Sequence, residues 1–149
     1  MDNNKAFLGQ GMKFPPQVNP ATGRFMTVSK EQSVKESVYV ILMTQKQERL
    51  MRPNFGTSLM SYTFMDTGVT ALNMMSRELS TDIMRQEPRI ADVQVDIDSK
   101  SKEGCLFINI NYRVRESNVK DNLVFPFYLD ATWEEKENEH EFGEIVETV

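Results

Sequence analysis

Few of the residues that build metal or redox sites occur in this chain of 149 residues. Cys105 is its only cysteine and lies in an apolar stretch, which excludes an internal disulfide and a cysteine-based zinc site and predicts a small core residue. His140 is the only histidine and has no second ligand at metal spacing. The sequence therefore predicts neither a bound metal nor a cofactor.

The chain also lacks an excess of positive charge, since its net charge is -5. Residues 130–149 hold eight acids and one lysine, whereas the remainder has 16 basic and 14 acidic residues. Nucleic-acid binding usually needs a concentrated basic face, so we expect no nucleic-acid partner. The acidic stretch has the composition of a flexible tail, which leaves residues 1–129 as a single domain.

Long apolar runs are missing as well. No stretch approaches the roughly 20 apolar residues that span a bilayer, and none near the N-terminus has the pattern of a signal peptide. The sequence therefore predicts a cytoplasmic protein that does not insert into a membrane. Ten methionines could form an adaptable binding face, but several occupy helix and strand positions, so we expect them in the core.

Turn-forming residues dominate positions 1–28, and Asn19-Pro20-Ala21-Thr22-Gly23 predicts a hairpin within an extended arm. Ser29 with Gln32 three residues later forms a capping-box pattern. Apolar residues then recur at helical spacing, at Val34, Val38, Ile41 and Leu42. A first helix is predicted from Lys30 to Thr44.

The polar segment from Gln45 to Phe55 is predicted to be a loop with defined turns. We interpret it as a hydrogen-bonded turn anchored under the first helix, although Arg52 could also contact a partner. The anchor residues are expected to be Arg52, Pro53, Phe55 and Gly56. A short helical turn is indicated by Leu59, Met60 and Phe64.

A second helix follows, with Asp66 or Thr67 as its cap. Its apolar face consists of Leu72, Met75, Leu79 and Ile83. Its charged residues are expected away from that face, at Arg77, Glu78, Asp82 and Arg85. Pro88 ends the helix because the residue before a proline avoids the α region, which leaves Glu87 and Arg89 together at a rigid corner.

After the corner the apolar period changes from 3.6 to 2, which predicts three strands over residues 91–97, 106–114 and 123–129. The third strand has its apolar face at Leu123, Phe125, Phe127 and Leu129. Pro126 has no N–H to donate, so this strand lies at an edge or carries a bulge. Two helices covering one face of an antiparallel sheet of three to four strands give an α+β fold with an open edge.

Six features occur along the chain in a characteristic order: Gly11-Met12-Lys13-Phe14-Pro15, Gly23-Arg24-Phe25, the capped first helix, Glu48-Arg49-Leu50-Met51-Arg52-Pro53-Asn54-Phe55-Gly56, Glu87-Pro88-Arg89 and the closing strands. In these features the chain resembles the baseplate-wedge or sheath-initiator proteins of contractile phage tails and related injection machines, the GPW or gene-twenty-five-like family. The resemblance covers most of the chain, and it implies a fold like the handshake domain of sheath subunits.

The resemblance implies a non-enzymatic structural part of the baseplate, placed where the sheath begins around the tube. It implies that Glu87, Pro88 and Arg89 contact the core formed by the wedge proteins, while sheath subunits add strands to the sheet, with Leu123 to Leu129 as the sheath-facing edge. It also implies six copies per baseplate, with tube or hub proteins as further candidate partners. The particle could be a phage tail, a type VI secretion system or an extracellular injection particle.

Alternatives remain open. Relatives often carry a lysozyme label, but a peptidoglycan hydrolase needs two positioned carboxylates, and Glu48, Asp66 and Glu87 lie in different segments. An ordinary α+β protein-binding domain is a further alternative. The corner could be no more than a local ion pair at a helix stop. If the corner docks on the wedge core, Arg89→Ala should leave the fold intact and block assembly. The acidic tail is hypothesised to meet a basic surface on an adjacent baseplate protein.

Overall fold

A computed structural model of the protein describes residues 8–64, 68–99, 104–115 and 117–129. Its elements in chain order are β1 (Gln10–Met12), β2 (Thr27–Ser29), α1 (Lys30–Met43), a 3₁₀ turn (Leu59–Tyr62), α2 (Val69–Gln86), β3 (Ile90–Asp98), β4 (Cys105–Val114) and β5 (Lys120–Tyr128). None of the helices in these ranges has the length and apolar character that crossing a membrane requires.

The strands form two antiparallel sheets. β1 pairs with β2 as a hairpin, in the register Gln10 opposite Ser29. The larger sheet has the order β3-β4-β5, and the helices cover its inner face, so the predicted α+β fold is confirmed. β5 lies at an edge of this sheet, as Pro126 had predicted.

Helix α1 begins at Lys30, as predicted, but the capping box does not form. Ser29 is extended, and its side chain makes no capping hydrogen bond. The side chain of Gln32 instead donates to Glu36 Oε1 at 3.2 Å. Lys30 has a φ of 59° at the point where a capping box needs regular helical backbone, which accounts for the missing bond.

Helix α2 begins at Val69, after Gly68 at the N-cap position. The predicted capping residues, Asp66 and Thr67, lie outside the described residues. The predicted apolar stripe is confirmed: Met75, Leu79 and Ile83 are buried, and Leu72 packs against the core while partly buried.

The prediction that Asp82 lies away from the buried side of α2 is wrong. Asp82 is only 4% exposed. Its carboxylate is 2.7 Å from Lys46 Nζ and 3.0 Å from Arg85 Nη2. A buried carboxylate is tolerated when it is paired in this way, and a pattern of apolar residues gives no signal of such pairing.

In the sheet, alternate residues of each strand face the helices. Strict alternation fails at the start of β3, where a bulge between Ala91 and Gln94 and a positive φ at Asp92 reset the phase. Both Ile90 and Val93 are therefore buried. In β4 the alternation holds from Leu106 onward, and in β5 it holds from Leu123 onward. Cys105, next to Leu106, is also buried, as predicted.

The expectation that methionines fill the core is wrong for most of those that the structure describes. Met75 is buried, but five others are exposed on the arm, on the loop after α1 and on the outer side of α2: Met12, Met26, Met51, Met74 and Met84. Their positions in helices and loops did not indicate which side of each element faces the core.

Candidate functional site

The corner, residues Glu87, Pro88 and Arg89, connects α2 to β3. Glu87 has an extended conformation, φ -114° and ψ 94°, as expected for a residue before proline. Its N–H still donates to Ile83 O at 2.9 Å, so the last helical turn is closed. Pro88 is exposed, whereas Glu87 is 2% exposed. The chain therefore leaves the helix through a fixed turn with the proline outside and the acid inside.

Glu87 and Arg89 form a bidentate ion pair within the corner. Arg89 Nε donates to Glu87 Oε1 and Arg89 Nη2 donates to Glu87 Oε2, each at 2.7 Å. The side chain of Arg89 is 27% exposed and that of Glu87 is 3% exposed. The guanidinium fork thus engages the chain's own carboxylate, in a setting more buried than that of a surface ion pair.

Arg89 also joins the corner to three other parts of the fold. Its Nη1 donates to Leu8 O in the arm at 2.8 Å and to Ser33 Oγ in α1 at 3.4 Å. Its carbonyl accepts the N–H of Arg115, just after β4, at 2.9 Å. The arm, both helices and the sheet therefore meet at this one residue.

The surroundings of the pair shift the pKa values of both of its members. Burial alone would raise the pKa of Glu87, but hydrogen bonds from Arg89 and Ser37, together with the charge of Arg89, outweigh burial and lower that pKa. The hydrogen bond to Glu87 raises the pKa of Arg89 despite partial burial. A catalytic acid needs a raised carboxyl pKa, so Glu87 is poorly suited to that role.

Of the other carboxylates considered for catalysis, the structure describes only Glu48. Glu48 is exposed, and its Oε2 accepts the N–H of Gln45 at 2.9 Å within its own loop. Asp66 lies outside the described residues. Within the described ranges no group of three or more His, Cys, Asp or Glu side chains could hold a metal ion.

A groove of about 310 Å³ runs beside Arg89, between the arm and α1. Its lining includes Gln10, Met12, Phe14, Ser33, Glu36 and Arg89. Met12 is 56% exposed, so the groove has an apolar wall open to solvent. On the inner side, the buried carboxylate of Glu36 accepts the N–H of Phe14 at 3.0 Å and fixes the arm on the helix.

The loop from Gln45 to Gly56 is bonded to α2 through Gly56. The amide of Gln86 accepts the Gly56 N–H at 2.5 Å and donates to Gly56 O at 2.8 Å. Gly56 has a φ of 102°, and a Cβ added there would lie 2.1 Å from Thr44 O. Because only glycine fits this close approach, residue 56 is dictated by the packing of the loop on α1.

Phe55 is partly buried and lies beneath two guanidinium groups of the same loop. Arg49 Cζ is 4.8 Å from the centre of the ring, and Arg52 Cζ is 5.7 Å from it. The structure thus brings the expected anchor residues Arg52, Phe55 and Gly56 together. Pro53 contributes its carbonyl, which accepts the N–H of Gln47 at 2.7 Å.

The outer edge of β5 is defined by the pairing register. Leu129 N–H bonds Gly104 O and Val114 N–H bonds Val119 O, so odd-numbered residues of β5 direct their backbone groups to β4. Even-numbered residues direct theirs away from β4, namely Lys120, Asn122, Val124, Pro126 and Tyr128. The side chains of Leu123, Phe125, Phe127 and Leu129, predicted to form the apolar face of this strand, face the core or its margin.

The outer edge of β3 differs, because α2 lies against it. Val93 O accepts the hydroxyl of Ser80 at 2.9 Å, and Val95 O accepts that of Ser76. These two serines were not predicted from the sequence. A signal was available: they lie four residues apart, each next to a residue of the buried stripe, where a helix commonly faces a neighbouring element.

The family model of baseplate wedge protein gp25 matches residues 28–119, more than half of the chain. A crystal structure from Geobacter sulfurreducens, provisionally named a tail lysozyme, is 38% identical with a TM-score of 0.65. The match covers 72% of this chain and 98% of that one. No curated protein matches the chain.

A second solved structure is the baseplate of the anti-feeding prophage, determined by cryo-electron microscopy with six-fold symmetrisation. One of its chains is 23% identical with a TM-score of 0.58, and the match covers 90% of this chain and 96% of that one. At this identity the likeness shows a shared fold. The family model, which matches more than half of the chain, shows that the protein belongs to the family of baseplate wedge protein gp25. It is a structural component of a baseplate.

Proposed function

We propose that this baseplate component initiates the sheath by accepting a sheath strand at the outer edge of β5, while its corner docks on the core of the wedge. The observation that carries the proposal is the contrast between the sheet edges. α2 covers carbonyl groups of β3, whereas in the described part of the chain no strand pairs with the outer side of β5.

The β5 edge has the features of a strand acceptor. Backbone groups of five alternate residues point outward, and an extended segment can add to such a row by main-chain hydrogen bonds. Pro126 lacks an N–H, so pairing is limited to one side of that position. A missing donor in the row disfavours random association between strand edges. A specific partner strand can still pair with the remaining outward groups in one register.

The corner is suited to docking as a rigid body. Its ion pair, together with the bonds to Leu8 and Ser33, fixes the exposed Pro88 before any partner arrives. A prefixed contact loses little conformational entropy on binding. We place the wedge contact on Pro88, the exposed part of Arg89 and the apolar wall of the adjacent groove at Met12. Six copies per ring are part of this proposal, supported by the six-fold baseplate of the anti-feeding prophage.

Blocking the outward N–H of Val124 tests the sheath contact. Val124→Pro removes a donor that points away from β4, so the free protein should stay folded by circular dichroism while sheath growth on baseplates that contain it stops. Val124→Thr is the matched control, since it keeps the donor and the branched side chain, and sheath growth should be normal. Full-length sheaths on baseplates with a folded Val124→Pro variant would contradict the proposal.

The wedge contact is tested separately by Met12→Glu, which places a charge on the exposed wall of the groove. We expect a folded protein that no longer copurifies with wedge proteins, whereas Val18→Glu, at another exposed position of the arm, should copurify normally. If both variants copurified with wedge proteins to the same extent, the wedge contact would not lie at this groove.

The hydrolase alternative is tested by incubating the purified protein with peptidoglycan. An ionised, buried Glu87 gives no support to acid catalysis, so we expect no release of soluble fragments. Activity that a single Glu or Asp substitution abolishes would revive the alternative.

A further inference from the structure

The tip of the loop after α1 exposes two large apolar side chains to solvent. Leu50 is 95% exposed and Met51 is 93% exposed; among the large hydrophobic residues that the structure describes, Phe64 alone equals Met51 in exposure. Single exposed apolar residues are ordinary on protein surfaces. Two adjacent ones at the end of a fixed loop form a small contact surface.

The loop holds these side chains in place with its own bonds. Gln47 N–H donates to Pro53 O at 2.7 Å across the base of the loop, and Phe55 N–H donates to Arg52 O at 3.0 Å. On either side of the apolar pair, Arg49 and Arg52 lie over the ring of Phe55. The loop tip, residues 49–52, is therefore an apolar pair framed by two positioned cations.

The chemistry that complements this tip is an apolar pair framed by two carboxylates. The acidic segment of this chain contains that arrangement as Glu144-Ile145-Val146-Glu147, the counterpart of Arg49-Leu50-Met51-Arg52. We propose that residues 144–147 dock on the loop tip of their own chain. Burial of the two apolar pairs supplies attraction, and the four charges set the orientation.

The chain is long enough for this contact. β5 runs parallel to β3 within the sheet, so it ends at the opposite end of the sheet from the corner and from Gln86, to which the loop is bonded. A nine-residue strand spans about 30 Å. The 15 residues from Leu129 to Glu144 can span about 50 Å when extended. The segment can thus return along the whole sheet to reach the loop tip.

A spin label near the end of the full chain tests the proposal. The variant Thr148→Cys adds a thiol for the label, whereas Cys105 is buried. We expect the label to broaden the amide NMR signals of Leu50 and Met51 to less than half their intensity in a dilute, isotopically labelled sample. Raising the ionic strength from about 0.1 to about 1 M shortens the Debye length from about 10 to about 3 Å and should restore part of that intensity.

Three multiple variants and one control separate the contact from its background. Leu50→Ser with Met51→Ser changes only exposed side chains, so the fold should persist while the broadening at loop amides is lost. Arg49→Glu with Arg52→Glu should also abolish the broadening, and Glu144→Arg with Glu147→Arg in the same chain should restore it. Arg24→Glu, in the exposed arm, is the matched control and should change nothing.

Unbroadened loop amides in the labelled full chain would overturn the proposal, as would broadening that survives the Leu50→Ser and Met51→Ser changes. Contacts between copies are measured in a mixture of two kinds of chain. One kind is isotopically labelled and has no spin label, and the other has the spin label and no isotopic label. Broadening confined to that mixture would overturn docking within one chain. These outcomes do not depend on sheath growth, so they are independent of the function proposed above.

Discussion

The two edges of the three-stranded sheet differ in what their outward backbone groups meet. On β3, the carbonyls of Val93 and Val95 accept the hydroxyls of Ser80 and Ser76, so α2 occupies that edge. On β5, the described residues place no strand against the outward groups, and Pro126 interrupts the row of donors. We therefore expect a strand of another chain to add to this sheet at β5 and not at β3.

Several of the hydrogen bonds that hold the arm and the loop to the rest of the fold lie on the β3 side. The corner at the start of β3 ties down the arm and α1 through Arg89, and Gln86 beside it holds the loop at Gly56. β5 contributes alternate core side chains and its pairing with β4. We therefore expect substitutions on the β3 side to change stability, and substitutions at the outer edge of β5 to change assembly.

The largest expected effect is that of Arg89→Ala. It leaves the carboxylate of Glu87 buried and unpaired and removes bonds to the arm and α1, which should lower the free energy of unfolding by about 3 to 5 kcal/mol. This prediction differs from the expectation drawn from the sequence, that the variant stays folded, because the partner of Arg89 is in its own chain. Denaturant unfolding measures the change.

Arg24→Ala serves as the matched control for that measurement. Arg24 is exposed in the arm, and we expect its removal to change stability by less than about 0.5 kcal/mol. If the two variants unfolded at the same denaturant concentration, the corner would contribute no more than a surface ion pair, and the asymmetry between the two sides of the sheet would lose its main support.

The next effect is that of replacing both Ser76 and Ser80 by alanine. Each substitution leaves a partly buried carbonyl of β3 without its hydroxyl donor, and at about 1 kcal/mol each the pair should cost about 2 kcal/mol. Thr81→Ala is the control, because the Thr81 hydroxyl bonds within its own helix at an exposed position. Equal stability of the double variant and the control would mean that the β3 edge is not held by α2.

The double variant also tests the direction of growth. With its serines removed, the β3 edge presents carbonyl groups that another strand could use, so we expect slow self-association at high concentration, measured by light scattering. A strictly monomeric double variant that is also destabilised would indicate that α2 still shields the edge by its bulk.

Local periodicity predicted the helices and strands well, because each buried stripe repeats with the geometry of its element. α1 and α2 end within one residue of Thr44 and Glu87, as the apolar spacing and Pro88 indicated. The edge position of β5 followed from a single proline. These features depend on neighbouring residues in the sequence, and the sequence contains all that is needed to predict them.

The pairing of charged groups could not be predicted in the same way. Asp82 is buried because Lys46, 36 positions earlier, reaches it from the loop, and Arg89 bonds Leu8 across 81 positions. The exposure of Leu50 and Met51 likewise depends on how the loop folds over Phe55. Such contacts depend on the folded arrangement of distant segments, and no local pattern encodes them.

The smallest expected effect concerns the charge of Glu87. Its pKa in the folded protein is lowered from the ordinary value of 4.5, so its ionised form contributes stability above about pH 4.5 and loses that contribution as the pH falls through the folded-state pKa. Glu87→Gln should therefore be less stable than the unsubstituted protein at pH 7.

Denaturant unfolding of both proteins between pH 7 and pH 3 measures how this difference changes. We expect it to narrow as the pH falls below about 4.5, because the carboxyl then becomes neutral like the amide that replaces it. If the difference in unfolding free energy between the two proteins stayed constant over this range, the hydrogen-bond geometry of the corner, and not the charge of Glu87, would account for its contribution to stability. The two edges of the sheet would then still differ in their contribution to stability, but the charge of Glu87 would not be a cause of that difference.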